Sequence, residues 1–211
     1  MKLTKFEHSC MVVQKADSTL VIDPGVHTIP LTNIGGVVGI VITHEHADHW
    51  TAEQLARLIQ RNPKARVLAP RSVASLATDF PVEVVADGDT VVVEPFTLRF
   101  FGSTHAVIHS SIPVIENVGV LVDDNLYYAG DSFTVPPVEV QTLAVPIGAP
   151  WLKMGEVMDY VAAIKPRHSF GVHEAGLSVI GKNMANGRVE LVTKAGGGEF
   201  HPLEPAESLD I

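Results

Sequence analysis

The sequence predicts an α/β protein: two mixed β-sheets packed face to face with helices on the outer faces, an αββα sandwich. Three observations lead there. The chain opens on short strands, passes to an alternation of strand and helix, and then runs through that order again, although the residues themselves do not repeat. At 211 residues, 46% hydrophobic and 18% charged, it is long enough for one substantial core and short for two, so residues 1–211 read as a single domain. Finally, acidic residues and histidines recur where apolar runs end, the places where loops on a rigid scaffold carry chemistry.

In order, Leu3 to Phe6, Cys10 to Gln14 and Thr19 to Ile22 read as strands, with Ala16-Asp17-Ser18 turning the last two into a hairpin. Asp23-Pro24-Gly25 ends that opening with a carboxylate and two chain breakers. Val37 to Ile42 is an apolar run with the character of a buried strand. Thr51 to Gln60 reads as a helix with Thr51 as its N-cap and Leu55, Leu58 and Ile59 on one face. Arg66 to Ala69 is a strand and Arg71 to Ala77 a short helix. From Val82 to Phe101, β-branched runs divided by Asp87-Gly88-Asp89 and by Pro95 predict meandering strands.

Val118 to Val122 and Leu126 to Ala129 form a predicted hairpin across Asp123-Asp124-Asn125. Leu143 to Ile147 is a strand, Met154 to Ile164 a helix stopped before Pro166, and His168 to Val172 another strand. Leu177 to Asn186 reads as helical, Gly196-Gly197-Gly198 as a flexible joint, and the tail to Ile211 as a further edge strand.

Composition narrows the partners. The formal net charge of -9 repels phosphate backbones and the basic residues are scattered, so nucleic acid is not an expected partner. The first eight residues lack the apolar core of a signal peptide, and no apolar run reaches membrane-spanning length, so a soluble, cytoplasmic protein with no membrane partner is expected. Cys10 is the only cysteine; flanked by Met11, Val12 and Val13, it reads as a small core residue.

The chemistry concentrates in His44-Glu45-His46-Ala47-Asp48-His49, an H-x-H-x-D-H pattern directly after an apolar strand. Residues two apart in an extended segment point to one side, so His44 and His46 can face one metal ion. A turn at Ala47 then swings Asp48 and His49 toward a second position. Imidazole and carboxylate donors without thiolate suit zinc first, then manganese or iron.

Further donors follow at strand ends: Asp23, His105, Asp131 in Gly130-Asp131-Ser132, and His173 after Val172. In this order the motifs resemble those of the metallo-β-lactamase-fold hydrolases, over about residues 3 to 180. The resemblance implies two divalent metal ions: His44, His46 and His105 on the first, Asp48, His49 and His173 on the second, and Asp131 between them. His109 is the rival of His105 for the third position. Asp23 is implied as the acceptor that steadies the metal loop. A dinuclear centre of this kind lowers the pKa of a shared water toward neutrality and polarises the substrate oxygen, with Asp48 and Asp131 orienting the nucleophile or receiving its proton.

Within the family, the flavodiiron oxidoreductases carry Glu where this chain has His46, which favours hydrolysis over redox chemistry. Phe6-Glu7-His8-Ser9-Cys10-Met11 and Leu143 to Gly148 look like the small single-domain branch related to L-ascorbate-6-phosphate lactonase. That branch implies a small-molecule ester, lactone or phosphodiester as substrate and brings His8 near the site. His27, Trp50, His109, Trp151 and Lys153 are candidate pocket residues; His168 and His201 read as structural and Glu174 as exposed. With no lid domain in so short a chain, a homo-oligomer that closes the pocket is a further expectation.

Overall fold

The computed structural model describes the whole chain, Met1 to Ile211. The first half builds one seven-stranded sheet: β1 (Lys2–Lys5), β2 (Met11–Lys15) and β3 (Ser18–Ile22) pair antiparallel, and β4 (Val37–Val41), β5 (Arg66–Ala69) and β6 (Val82–Val84) continue it in parallel. The second half repeats the plan. There β7 (Thr90–Val93), β8 (Phe96–Phe101), β9 (Gly119–Val122) and β10 (Leu126–Tyr128) are antiparallel, and β11 (Thr142–Pro146), β12 (His168–Val172) and β13 (Glu199–Phe200) add in parallel. The tail then returns to the first sheet, where β14 (Ser208–Asp210) pairs with β1. The expected edge strand is therefore present.

Alternation of side chains along each strand sorts the core into three layers. Met11, Val13, Leu20, Ile22 and Val41 of the first sheet meet Phe96, Leu98, Phe100, Val120 and Tyr128 of the second between the sheets. The opposite faces carry Val12, Val21, Ile40 and Ile42 under α1 (Ala52–Arg61) and α2 (Arg71–Leu76), and Leu121, Leu143 and Val145 under α3 (Met154–Ile164) and α4 (Val179–Ala195). Cys10 lies fully buried beneath α1 and α2, its thiol pushed up by desolvation, as a core residue should be. Thr51 caps α1, its side chain accepting from the Gln54 amide.

Three readings need correction. The Asp87-Gly88-Asp89 turn joins no meander: β6 belongs to the first sheet and β7 to the second, so the turn carries the chain across the sandwich. Helix α4 begins and ends later than the segment from Leu177 to Asn186 and runs to Ala195, because Ala185, Val189 and Thr193 bury one face against the sheet. The glycine triplet is then the end of that helix. Gly196 is its C-cap, Gly197 takes a φ of +87°, and a Cβ on Gly198 would lie 2.2 Å from the Pro166 carbonyl oxygen.

Candidate metal centre

Every strand that delivers a site residue breaks off through the left-handed region of backbone space. Asp23 follows β3 at φ +46°, Gly130 follows β10 at +64°, His173 follows β12 at +64°, and His8, shortly before β2, sits at +60°. Such conformations are uncommon for non-glycine residues and concentrate where function over-determines the backbone. At Gly130 a side chain is excluded twice over, by φ and because a Cβ would lie 2.3 Å from Asn117 Oδ1. Asn117 in turn accepts from the Asp131 amide at 3.0 Å, fixing where that carboxylate starts.

The loop after β4 is held from behind by Asp23, which is fully buried. Its Oδ1 accepts from the Thr43 amide at 2.8 Å; its Oδ2 accepts from the Thr43 hydroxyl at 2.7 Å and from His49 Nδ1 at 2.6 Å. Because the Thr43 proton is committed to Asp23, the Thr43 oxygen can only accept from His44 Nδ1, 3.1 Å away. One carboxylate thereby sets the tautomers of two imidazoles and turns both Nε2 lone pairs forward. His105 and His173 are fixed likewise, their Nδ1–H groups donating to the Ala106 carbonyl at 2.5 Å and the Gly148 carbonyl at 2.7 Å. His46 differs, presenting Nδ1 to His44 Nε2 at 3.1 Å.

The forward-facing atoms form two groups, each with its donors within 4.8 Å of one another: His44, His46, His105 and Asp131, and beside it His8, Asp48, His49 and His173. Asp131 reaches both. Its Oδ1 lies 3.2 Å from His49 Nε2, and its Oδ2 lies 3.3 Å from His105 Nε2 and 3.1 Å from His173 Nε2. Asp48 Oδ2 stands 3.4 Å from His173 Nε2. The buried Nε2 atoms of His49, His105 and His173 and Oδ1 of Asp131 have no hydrogen-bond partner. Buried polar atoms are normally paired, and four orphans aimed at one region are the donor set a cation would satisfy.

Charge is arranged to match. Burial works to raise the Asp131 carboxyl, but the charge on His49 and the hydrogen bonds from His105 and His173 hold it well below its ordinary value. Asp48 is lowered too, against burial, by its bonds to His173 and His8. In return, burial is outweighed at His49 by Asp131 and Asp23, which raise its pKa well above the usual histidine value. At His173 burial is outweighed by Asp131 and Asp48, and the pKa rises to about 9. His44 and His46 are lowered, chiefly by desolvation, and so present neutral nitrogens.

His8 supports rather than joins this set. The Ala175 amide donates to its Nδ1 at 3.2 Å, so the neutral ring carries its proton on Nε2 and donates it to Asp48 Oδ2 at 3.1 Å. Burial lowers its pKa to about 4, which keeps the ring neutral. Trp151, expected to be an apolar wall, has a polar task as well: its indole N–H donates to Asp131 Oδ2 at 2.9 Å while its ring meets the edges of His105 and Phe133.

The remaining candidates divide. His27 is exposed and meets the His8 ring edge-on at 5.0 Å, at the wall of a cavity of about 380 Å³ that opens beside Asp48 and His173. His109 turns away to the surface, where its Nδ1 bonds Ser111. Trp50 packs against the core under α1 and donates to the Glu45 carbonyl, and Lys153 is solvated beside Glu156. Glu174, read as exposed, is instead 11% accessible and paired with Lys5, which is 1% accessible. The sequence offered no signal for that pair, since its members lie in opposite halves of the chain.

A family model described as a beta-lactamase superfamily domain matches residues 2–173. Protein Rv0786c of Mycobacterium tuberculosis is 37% identical over 199 residues, which cover 92% of this chain and 93% of that protein. Among solved structures, Igni18, a metallo hydrolase from the archaeon Ignicoccus hospitalis, superposes with a TM-score of 0.75 at 20% identity, covering 99% of this chain and 97% of that one. CmlA, a diiron beta-hydroxylase from Streptomyces venezuelae, superposes with a TM-score of 0.75 at 15% identity, covering all of this chain and 54% of that one. At such identities the two solved structures share the fold with this chain.

Proposed function

The chain belongs to the beta-lactamase superfamily, and from that premise we propose that it is a metal-dependent hydrolase acting on a small ester, lactone or phosphodiester through a dinuclear centre, with zinc the first choice of metal. The observation that carries this reading is the set of four buried donor atoms without partners, on His49, His105, His173 and Asp131. His44, His46 and His105 would hold one ion and Asp48, His49 and His173 the other, with Asp131 between them. When bound, such a pair supplies Lewis acidity and brings water within reach of deprotonation near neutral pH.

The chain's own residues do the rest. Asp48 and Asp131, both kept ionised, orient the attacking water and take up its proton. His8 holds Asp48 in place from the far side, and Trp151 does the same for Asp131. The cavity beside Asp48 and His173 has the volume of a small-molecule site and is walled in part by His27, Pro150 and Leu177. The likeness of the His8 to Met11 stretch to the L-ascorbate-6-phosphate lactonase branch supports a lactone or ester within that range.

Metal analysis of untagged protein, joined to a hydrolysis panel of ester, lactone, thioester and phosphodiester, tests the proposal. Wild type is expected to carry zinc and turn over at least one class, with His46→Ala and Asp131→Ala losing both properties. Bound iron with a visible spectrum and no hydrolysis would replace this reading with a redox one. Metal without turnover of any substrate would leave a binding module.

A further inference from the structure

At the other end of β12 from His173, three more side chains with ligand chemistry meet. His168 opens the strand, Glu199 is its registered partner on β13, and His201 lies two residues further on. Residues in register on paired strands share a face, and residues two apart along a strand share it too, so all three project to one side. The opposite face belongs to α4: Ser169 bonds Thr193 there at 2.7 Å, and Phe200 is buried in the outer core. The shared face is the one that Phe170 and Val172 present to the layer between the sheets. A polar trio thus ends an otherwise apolar row.

Their donor atoms lie within 4.8 Å of one another, and His168 Nδ1 is 3.0 Å from His201 Nε2. Two imidazole nitrogens bound at about 2.0–2.1 Å to a tetrahedral ion stand roughly 3.4 Å apart, so little movement separates the observed pair from a shared ion. Desolvation lowers His201, which keeps its nitrogen available at neutral pH. Five strand residues, roughly 16 Å at about 3.3 Å each, lie between this cluster and His173, so it is independent of the candidate dinuclear centre.

We propose that His168, Glu199 and His201 form a separate structural site for a zinc-class transition ion. The ion would pin β13, a strand of two residues, to β12 just before the tail leaves for the first sheet. Two imidazoles and one carboxylate leave a fourth position for water, and this donor set favours zinc, copper or nickel over calcium or magnesium.

The test uses full-length protein stripped with chelator and titrated with Zn²⁺ and with Co²⁺, in a His46→Ala/Asp131→Ala background that disables the first centre. That background is expected to retain one bound equivalent with a cobalt d–d spectrum, and to lose it on adding His201→Ala or His168→Ala. Glu199→Gln keeps the imidazole pair and the exposed surface intact, so folding is not at issue; it should weaken the ion on the order of tenfold or more. Unchanged stoichiometry and affinity in all three variants would overturn the site, as would the absence of any bound equivalent in the background.

Discussion

Of the residues around the candidate centre, Asp23 has the widest reach while touching no other forward-facing donor. It orders His49 directly and His44 through Thr43, so replacing one of its oxygens by an amide removes an acceptor from a fully committed set. Asp23→Asn is expected to lower metal affinity roughly 10- to 100-fold with the fold intact, measured by competition against a chromophoric chelator. His8→Ala frees Asp48 and should weaken the ion held with His49 and His173 more than the other, which a two-site isothermal titration separates. Protons report on the same geometry. In the metal-free protein His173 holds its proton up to about pH 9, raised from an ordinary value of 6.5, and a metal must displace it. Apparent affinity should therefore climb with pH between about 6.5 and 9, roughly tenfold per unit for each proton released, and calorimetry in buffers of different ionisation enthalpy should count at least one. The sign is opposite for stability: the charged His173 stabilises the metal-free fold fully below pH 6.5 and loses that effect as pH rises through 9. Asp48 and Asp131, both held below the carboxylate range, add nothing in this window. The H-x-H-x-D-H run was legible because a ligand loop is local in sequence. The indole bond from Trp151 to Asp131 was not, since only the folded chain brings the two together.

Among the elements, the strands were the readable part. Alternation in β2, β3 and β8 is strict because each has one face between the sheets and the other toward helices or solvent, and a slip of one residue would invert both. Helix α4 was under-read. Gly181, Asn183, Asn186 and Gly187 lower its intrinsic propensity, and burial of Ala185, Val189 and Thr193 overrides them. The Asp87-Gly88-Asp89 signal was correct as a turn and silent about destination, because turn chemistry does not encode which sheet receives the next strand. Loop closure around the site makes its own demand at Gly25, between β3 and β4. A Cβ there would stand 1.9 Å from the Asp48 carbonyl oxygen, and the neighbouring Val26 amide bonds the Ala47 carbonyl at 2.8 Å. Gly25→Ala must therefore push the metal loop away from the end of β3. The expected result is a loss of about 1–3 kcal/mol by chemical denaturation, together with weakened metal binding. Gly155→Ala meets no atom within 4 Å and serves as the control that should leave metal binding unchanged.

At the level of the whole molecule, the metallo-β-lactamase fold sets two like-ordered sheets back to back so that strand ends from both halves surround one site. Asp23 and the loop after β4 come from the first sheet, Asp131 and His173 from the second. The sandwich therefore has to resist shear, because sliding one sheet against the other by a residue would separate the donors. Hydrophobic contact between the sheets is non-directional and fixes spacing better than register. Directional ties across the halves supply what it lacks. The His173 amide bonds the His8 carbonyl at 3.0 Å, the Ala175 amide bonds His8 Nδ1, and Lys5 at the end of β1 donates to both the Phe6 carbonyl and Glu174, next to His173. The ion pair is the strongest of these ties and the most exposed to failure, since Lys5 is almost fully buried and Glu174 Oε2 has no other partner. Removing one member of such a pair strands the other's charge, a loss of about 3–5 kcal/mol. Lys5→Met should thus lower the urea midpoint sharply and, in protein that remains folded, loosen the ion bound through His173. The double variant Lys5→Met/Glu174→Gln removes the stranded charge and should recover most of the stability while metal affinity stays reduced. Recovery of both together would mean that the pair serves stability alone and that register between the sheets is held elsewhere.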